Sequence, residues 1–324
     1  MSVFRAQAPA NLVEALKASK RVALVTHINP DGDGLGSEAA LALALQALGK
    51  EVALLNNDAT PAQYGFLNLE KLRPAEDAFN ADLVVSLDCP VLERLGERGM
   101  TAFKAAKNKA VIDHHVPKDP FGDAVWIETQ CCATGEMIEA LLFQLGVALT
   151  APMATALYAA VVNDTGCFRH SNTDAFVFSL ATRLLAAGAD SKDVNRRLLD
   201  EKPLASVLLQ ARALGGLRVL AGGKGALVSV SAAMLHDAGA TWEDTDGLAE
   251  SLRSIAGVEV SAMLREEEPL KAKLSMRSKY SFDVNAFASQ WGGGGHAKAA
   301  GATLKLPFDQ AIDTVAKALE AGLA

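Results

Sequence analysis

Residues 21–37 read RVALVTHINPDGDGLGS, and the fold follows from them. RVALVT (21–26) is a short buried strand, 37–48 a helix stopped by Gly49, and 51–55 (EVALL) a second strand. Strand, helix and strand in that order make a βαβ unit. Moving outward, 82–87 (DLVVSL) and 110–112 (AVI) are further buried-strand candidates, with helical stretches at 134–145, 152–162 and 174–187. Alternation of this kind predicts an α/β domain, a parallel sheet sandwiched by helices.

From 188 to 216 the pattern becomes helical and more charged, with Pro203 interrupting it and Gly215-Gly216 closing it, as expected of a linker. Beyond it, LRVLAGGKGALVSVS (217–231) has two apolar runs around a glycine-rich turn, the signature of a hairpin. Residues 258–265 and 270–278 alternate around Glu268-Pro269, and a helix near 308–321 ends the chain. The expected organisation is a first domain over 1–187, a helical linker over 188–216 and a smaller α+β domain over 217–324, with a cleft between the two lobes.

A chain of 324 residues is long for one core and suits two domains. Its net charge of -7 and pI near 5.5 argue against a broad basic surface tracking long DNA or RNA and leave a small or short anionic substrate. The four cysteines, Cys89, Cys131, Cys132 and Cys167, form no CxxC pair and suggest reduced thiols. The first twenty residues, MSVFRAQAPANLVEALKASK, lack the apolar core of a signal peptide, and no later run approaches the roughly 20 apolar residues of a membrane span. A cytoplasmic location without membrane attachment is expected.

THINPDGDGLGS places His27, Asp31 and Asp33 in one loop at the carboxyl end of the first strand, where open α/β sheets bind ligands. Gly32, Gly34 and Gly36 are expected to let the backbone turn between them. By itself NPDGDG is equally a turn sequence, and its GxGxG spacing is not the GxGxxG of a dinucleotide site. Repetition changes the reading. DLVVSLDCP puts Asp88 after a second buried strand, AVIDHH puts Asp113, His114 and His115 after a third, and VVNDTGCFRHSNT supplies Asp164 where an apolar helix ends. Buried carboxylates gathered beside imidazoles repel one another and resist ionisation unless cations neutralise them. Two divalent ions would neutralise four carboxylates. The mixed oxygen and nitrogen donors suit Mn²⁺ first, with Mg²⁺, Co²⁺ or Fe²⁺ as alternatives, and the absence of thiolates argues against structural zinc.

Taken together these segments resemble the DHH phosphoesterase family. THINPDGDGLGS resembles its first motif, Asp88 its second, Asp113-His114-His115 its third and Asp164-Thr165-Gly166 its fourth. The resemblance implies a Rossmann-like catalytic domain in which one metal is held by His27, Asp31 and Asp88 and the other by Asp33, Asp88, His114 and Asp164. It further implies that Asp88 bridges, that His115 faces the substrate phosphate, that Asp113 supports the histidines and that Arg169 is a substrate-side cation. Asp33, Asp88 and His115 are the expected catalytic residues.

The second lobe resembles the DHH-associated C-terminal domain through Arg277-Ser278 and QWGGGGHAKAAG (290–301). The glycines over 292–295 offer successive backbone N–H groups to an anion, with His296 directly after them. Arg277, Gly293, Gly294, Gly295 and His296 are therefore the expected substrate contacts. Along KAKLSMRSK, Lys271, Lys273, Ser275, Arg277 and Lys279 share one strand face, and Ala272, Leu274 and Met276 take the other.

Within the family, a two-lobed chain without appended domains is similar to the members that cleave very short oligoribonucleotides and dephosphorylate 3′-phosphoadenosine 5′-phosphate (pAp). The expected partners are short single-stranded RNA or small nucleotides. No long duplex is expected, and a homodimer is left open. Cyclic- or linear-dinucleotide phosphodiesterases (pApA, pGpG) are the next reading, RecJ-type single-strand exonucleases follow, and a nucleotide-binding module without catalysis is the non-enzyme alternative.

Overall fold

The computed structural model describes residues 3–73, 79–89, 91–116 and 121–324, and the chain divides into two compact units, Met1–Glu201 and Lys202–Ala324. In the first, strands β1 (Arg21–Val25), β2 (Glu51–Leu54), β3 (Leu83–Leu87), β4 (Asn108–Asp113) and β5 (Ala124–Ile127) form one sheet in the order β2-β1-β3-β4-β5. Every neighbouring pair is parallel. The helices are α1 (Ala10–Ala18), α2 (Gly32–Ala47), α3 (Gly96–Ala105), α4 (Thr134–Gln144), α5 (Ala151–Asp164), α6 (Ala175–Ala186) and α7 (Ser191–Asn195). They cover both sheet faces. Val22, Leu24, Val85 and Ile112 pack with α1, α2, α4, α5 and α6, whereas Ala23, Val25, Val84 and Val111 pack with Phe103 of α3. A strand covered on both faces needs apolar residues on both, which is why RVALV is a continuous run and not an alternation.

The chain runs from β1 outward to β2 and then returns to β3 on the other side of β1, so the strand order reverses between β1 and β3. Ligand sites of open α/β sheets form at such a switch point, beyond the carboxyl ends of the strands.

Helix α2 starts five residues earlier than the sequence suggests. Asp31 caps it, accepting from the N–H groups of Asp33 and Gly34, so Asp33 lies in the first helical turn and not in the loop with His27. Gly32, Gly34 and Gly36 all have ordinary negative φ and provide close approach, not turning. A Cβ on Gly34 would collide with the Thr26 hydroxyl, one on Gly36 with the Ala156 carbonyl, and one on Gly32 would sit 2.9 Å from Asn163 Cβ. The glycines press α2 onto β1 and α5. Because α2 is buried nearly all round, it shows little helical periodicity, and its first turn was hidden.

The second unit comprises α8 (Leu204–Gly215), β6 (Arg218–Leu220), β7 (Gly225–Val230), α9 (Ala232–Ala238), α10 (Leu248–Arg253), β8 (Val260–Glu268), β9 (Lys271–Ser278), α11 (Val284–Ala288), β10 (Gly294–His296), β11 (Ala299–Leu304) and α12 (Phe308–Leu323). Its sheet runs β10-β11-β9-β8-β7-β6, antiparallel except for the parallel pair β7–β8. That parallel crossover is carried by α9 and α10, and the hairpin expected over 217–231 is the antiparallel pair β6–β7. α11 and α12 pack with Leu264, Leu274 and Met276, while α8, α9 and α10 pack with Val228 and Met263. Leu209 and Ala213 of α8 belong to this second core. Among the described residues no helix is long and apolar enough to cross a membrane, and the four cysteines are free thiols.

Candidate metal centre

Four segments bring their polar residues to the switch point. His27 follows β1, Asp88 follows β3, Asp113-His114-His115 ends and follows β4, and Asp164 ends α5. His27 Nε2 lies 3.6 Å from Asp88 Oδ2 and 3.9 Å from Asp31 Oδ1. On the other side, His114 Nε2 lies 3.0 Å from Asp164 Oδ2, 3.6 Å from Asp33 Oδ2 and 3.7 Å from Asp88 Oδ1. Asp88 thus sends one carboxylate oxygen to each side. Among the described residues three groups have ligand atoms close enough to hold a metal ion: His27, Asp31 and Asp88; Asp33, His114 and Asp164; and Asp88, His114 and His115.

Backbone geometry aims these groups. Asp88 sits at φ 55°, a left-handed conformation that Asp tolerates better than most side chains, with its N–H donating to Ile112 O at 3.0 Å. Asp33 points at the start of α4 and accepts from Thr134 N–H at 2.6 Å and Gly135 N–H at 2.9 Å. Two orphan N–H groups and the positive end of a helix dipole therefore meet a buried carboxylate. Thr134 Oγ1 donates to Asp88 Oδ1 at 3.2 Å.

The histidine rings are oriented by their other nitrogens. His114 Nδ1 lies 3.2 Å from the Cys131 carbonyl and His27 Nδ1 lies 2.8 Å from the Ile28 carbonyl. A ring donating Nδ1–H to a carbonyl presents the lone pair of Nε2, the form in which histidine binds a metal. His114 Nε2 is buried and makes no well-formed hydrogen bond. His115 Nδ1 lies 2.8 Å from Asp113 Oδ1, which also accepts the His115 N–H at 3.1 Å. Asp113 is fully buried and engaged with His115, and it belongs to none of the three candidate ligand groups.

The electrostatics show how strongly this arrangement favours added positive charge. Burial, then the charges of Asp33, Asp31 and Asp164, push Asp88 well above the usual carboxylate range. Burial and Asp164 raise Asp33 in the same direction. Burial favours a neutral His114, but Asp164, Asp33 and Asp88 outweigh it and hold the ring protonated far above its ordinary range. The bare cluster draws in protons, and bound divalent cations are the alternative way to balance it. An oxygen and nitrogen donor set with a buried imidazole nitrogen facing three carboxylates fits such ions.

Several neighbours carry no signal in the sequence. Tyr64 OH donates to Asn163 Oδ1 at 3.1 Å, and Asn163 Nδ2 donates to Asp164 Oδ1 at 3.2 Å, so Asp164 is steadied from a distant segment. Arg94 Nη2 lies 3.1 Å from His27 Nδ1. Thr134-Gly135 has a local cue, a small pair opening an apolar helix, but nothing local points it at Asp33. After Asp164 the chain takes three successive left-handed residues, Gly166, Cys167 and Phe168, before Arg169. Arg169 is exposed, and its Nε donates to Gly166 O at 2.6 Å.

In the second unit, Arg277 is ion-paired with Glu250 of α10, and its Nη1 donates to Met276 O at 2.9 Å. The predicted faces of β9 are observed, with Ala272, Leu274 and Met276 buried and Lys273 exposed. The glycine segment is not an open cradle of N–H groups. Gly294, Gly295 and His296 pair with β11 as an edge strand, and Gly293 N–H donates to Ala288 O at 3.1 Å. Gly293 and Gly295 are required because a Cβ on either would strike the β11 backbone.

The chain belongs to the DHH family. The family's N-terminal domain matches residues 21–161, and a DHHA1 domain matches residues 220–323. More particularly, it is 34% identical over 312 residues to the bifunctional oligoribonuclease and PAP phosphatase NrnA of Thermus thermophilus, covering 95% of this chain and 92% of that one. It is 26% identical to the protein of the same name from Bacillus subtilis, over 90% of this chain and 92% of that one. The crystal structure of an exopolyphosphatase-related protein from Bacteroides fragilis superposes with a TM-score of 0.89 at 24% identity, covering 96% and 95% of the two chains, and shares the fold.

Proposed function

We propose that this protein is a metal-dependent phosphoesterase that hydrolyses short oligoribonucleotides to mononucleotides and removes a phosphate from pAp. The observation that carries this reading is the 34% identity, across nearly the whole of both chains, to a relative named for those two activities. The site chemistry supports it independently, because a buried cluster of carboxylates and imidazoles at a switch point suits divalent ions and phosphoryl transfer.

In this reading His27, Asp31 and Asp88 would hold one ion, and Asp33, Asp88, His114 and Asp164 the other, with Mn²⁺ as the favoured metal. Bound divalent ions would supply an acidified water and offset the charge that develops on phosphorus and its oxygens. The chain's own part is placement. Asp33 is fixed by the start of α4, Asp164 by Asn163 and Tyr64, and His115 by Asp113, which leaves the His115 ring to orient the substrate phosphate. Arg169, Arg277, Gly293, Gly294, Gly295 and His296 are proposed to bind the nucleotide, with residues 217–324 of the second unit acting as the substrate-binding domain. Exonucleolytic release of mononucleotides, a cytoplasmic location and a homodimer are compatible with this reading.

The test is a side-by-side rate comparison in Mn²⁺ with pAp, pApA, cyclic di-AMP, RNA of two to five nucleotides, longer single-stranded DNA and pyrophosphate. pAp and the shortest RNAs are expected to turn over fastest. Preference for pyrophosphate or long DNA would overturn the assignment, and binding without turnover of any of them would leave a nucleotide-binding module.

A further inference from the structure

The ladder between β1 and β2 ends at the pair Leu24 and Leu54, after which Leu55 N–H donates to Leu24 O at 3.0 Å. Two residues beyond Leu24 the strand is anchored by a side chain instead. Thr26 N–H donates to Asn56 Oδ1 at 2.9 Å, and Asn56 Nδ2 donates to Glu38 Oε2 at 2.8 Å. All three residues are buried, Thr26 and Glu38 completely. The Asn56 carbonyl accepts from Arg73 Nη2 and Arg98 Nη1, each at 3.3 Å, so the base of this amide is fixed as well. His27 is the next residue after Thr26.

A buried Thr26 N–H can be satisfied only by an acceptor, and the Asn56 side chain serves it only while its carbonyl end faces the strand. Glu38 holds the opposite end of that amide. The carboxyl is delivered by α2, whose Gly34, one turn earlier, lies directly against Thr26 Oγ1. Burial pushes the Glu38 carboxyl up to about 8, with Asn56, His27 and Arg73 pulling the other way, so near neutral pH it is largely the uncharged acid. An uncharged group that keeps one acceptor oxygen is all the contact requires.

We propose that Glu38 is a positioning residue for His27, acting through the Asn56 amide on the Thr26 backbone. The inference rests on the reading of His27 as a metal ligand. By fixing the peptide at which the chain leaves β1, Glu38 sets where the His27 ring meets Asp31 and Asp88. Asp33 is held by the Thr134 and Gly135 N–H groups, His114 by the Cys131 carbonyl and Asp164 by Asn163, so loss of the clamp acts on one side of the cluster.

The experiment uses the full chain, stripped of metal and titrated with Mn²⁺ by calorimetry, as wild type, Glu38→Gln, Glu38→Leu and Glu38→Asp. Gln keeps the acceptor, Leu has none, and Asp is one methylene too short. Wild type is expected to bind two ions and Glu38→Gln to match it within about twofold, while Glu38→Leu and Glu38→Asp weaken one ion by at least about tenfold and leave the other unchanged. Amide hydrogen exchange at Thr26 in the metal-free proteins should be faster by about tenfold or more in Leu and Asp but not in Gln. Normal binding of both ions by Leu and Asp, equal weakening of both ions, or a Gln variant as impaired as Leu would overturn the proposal. Should Glu38→Leu not fold, the Asp and Gln variants decide. A wild type that binds no Mn²⁺ would count against the metal centre, and Thr26 exchange would still test the clamp.

Discussion

The carboxylate cluster of the first unit and the cationic face of the second are built on opposite principles. Around Asp88 the carboxylates are crowded, mostly buried and only partly offset by His114, with Asp33 and Asp88 both pushed toward protonation. Along β9 and its neighbours the charges are exposed or half-exposed and already paired, Arg277 with Glu250, Arg265 with Glu267, and Lys271 with Glu267 and Glu268. A site that is electrostatically unfinished needs a ligand to complete it, so its geometry must be fixed in advance by backbone. A site that is already neutralised must exchange partners to bind an anion, and it can be tuned one side chain at a time. The first arrangement suits chemistry and the second suits selectivity.

The difference between the two regions should appear first in the size of mutational effects. Asp88→Asn removes the charge shared by both halves of the cluster, and kcat on pAp should fall by about 10³-fold or more, as expected when metal-assisted charge stabilisation is lost. Arg277→Ala should raise KM for pAp about tenfold, the worth of one charge-assisted contact, with kcat within about twofold. Steady-state kinetics on the two variants would break the comparison if Asp88→Asn acted on KM alone or Arg277→Ala mainly on kcat.

Next in size is a pH effect confined to the first region. Asp33 and Asp88 have folded-state pKa values above their unfolded ones, and His114 is raised as well, so the metal-free native state binds more protons than the unfolded chain. Its stability is therefore lost as pH rises, and the melting temperature without metal should drop by at least about 5 °C between about pH 6 and pH 8, the worth of one proton over two pH units. With saturating Mn²⁺ the slope should reverse, because bound ions need deprotonated ligands. Thermal scans in EDTA and in Mn²⁺ check both signs. The smallest effect belongs to Lys273, exposed on β9, where Lys273→Ala should change KM by less than about threefold.

How far the sequence revealed each region follows the same physics. Buried parallel strands leave continuous apolar runs, so β1, β3 and β4 and the polar residues gathered at their ends could be read directly. Short AVWI of β5 and the isolated helices α1 and α3 left weaker patterns. The turn-like DGDG misplaced the start of α2, because glycine used for close helix packing looks like glycine used for turning. Contacts that join distant segments, such as Tyr64 to Asn163, Thr134 to Asp33 and Asn56 to Thr26, have no local pattern at all. In the second unit the alternation of β9 was plain, while the pairing of Arg277 with Glu250 depends on where α10 packs.

The central claim is that Asp88 lies between two cations. Anomalous diffraction from crystals grown with Mn²⁺ tests it most directly. The account predicts two peaks on either side of the Asp88 carboxylate, one bounded by His27 and Asp31 and the other by Asp33, His114 and Asp164. A single peak, or two peaks that do not share Asp88, would contradict it.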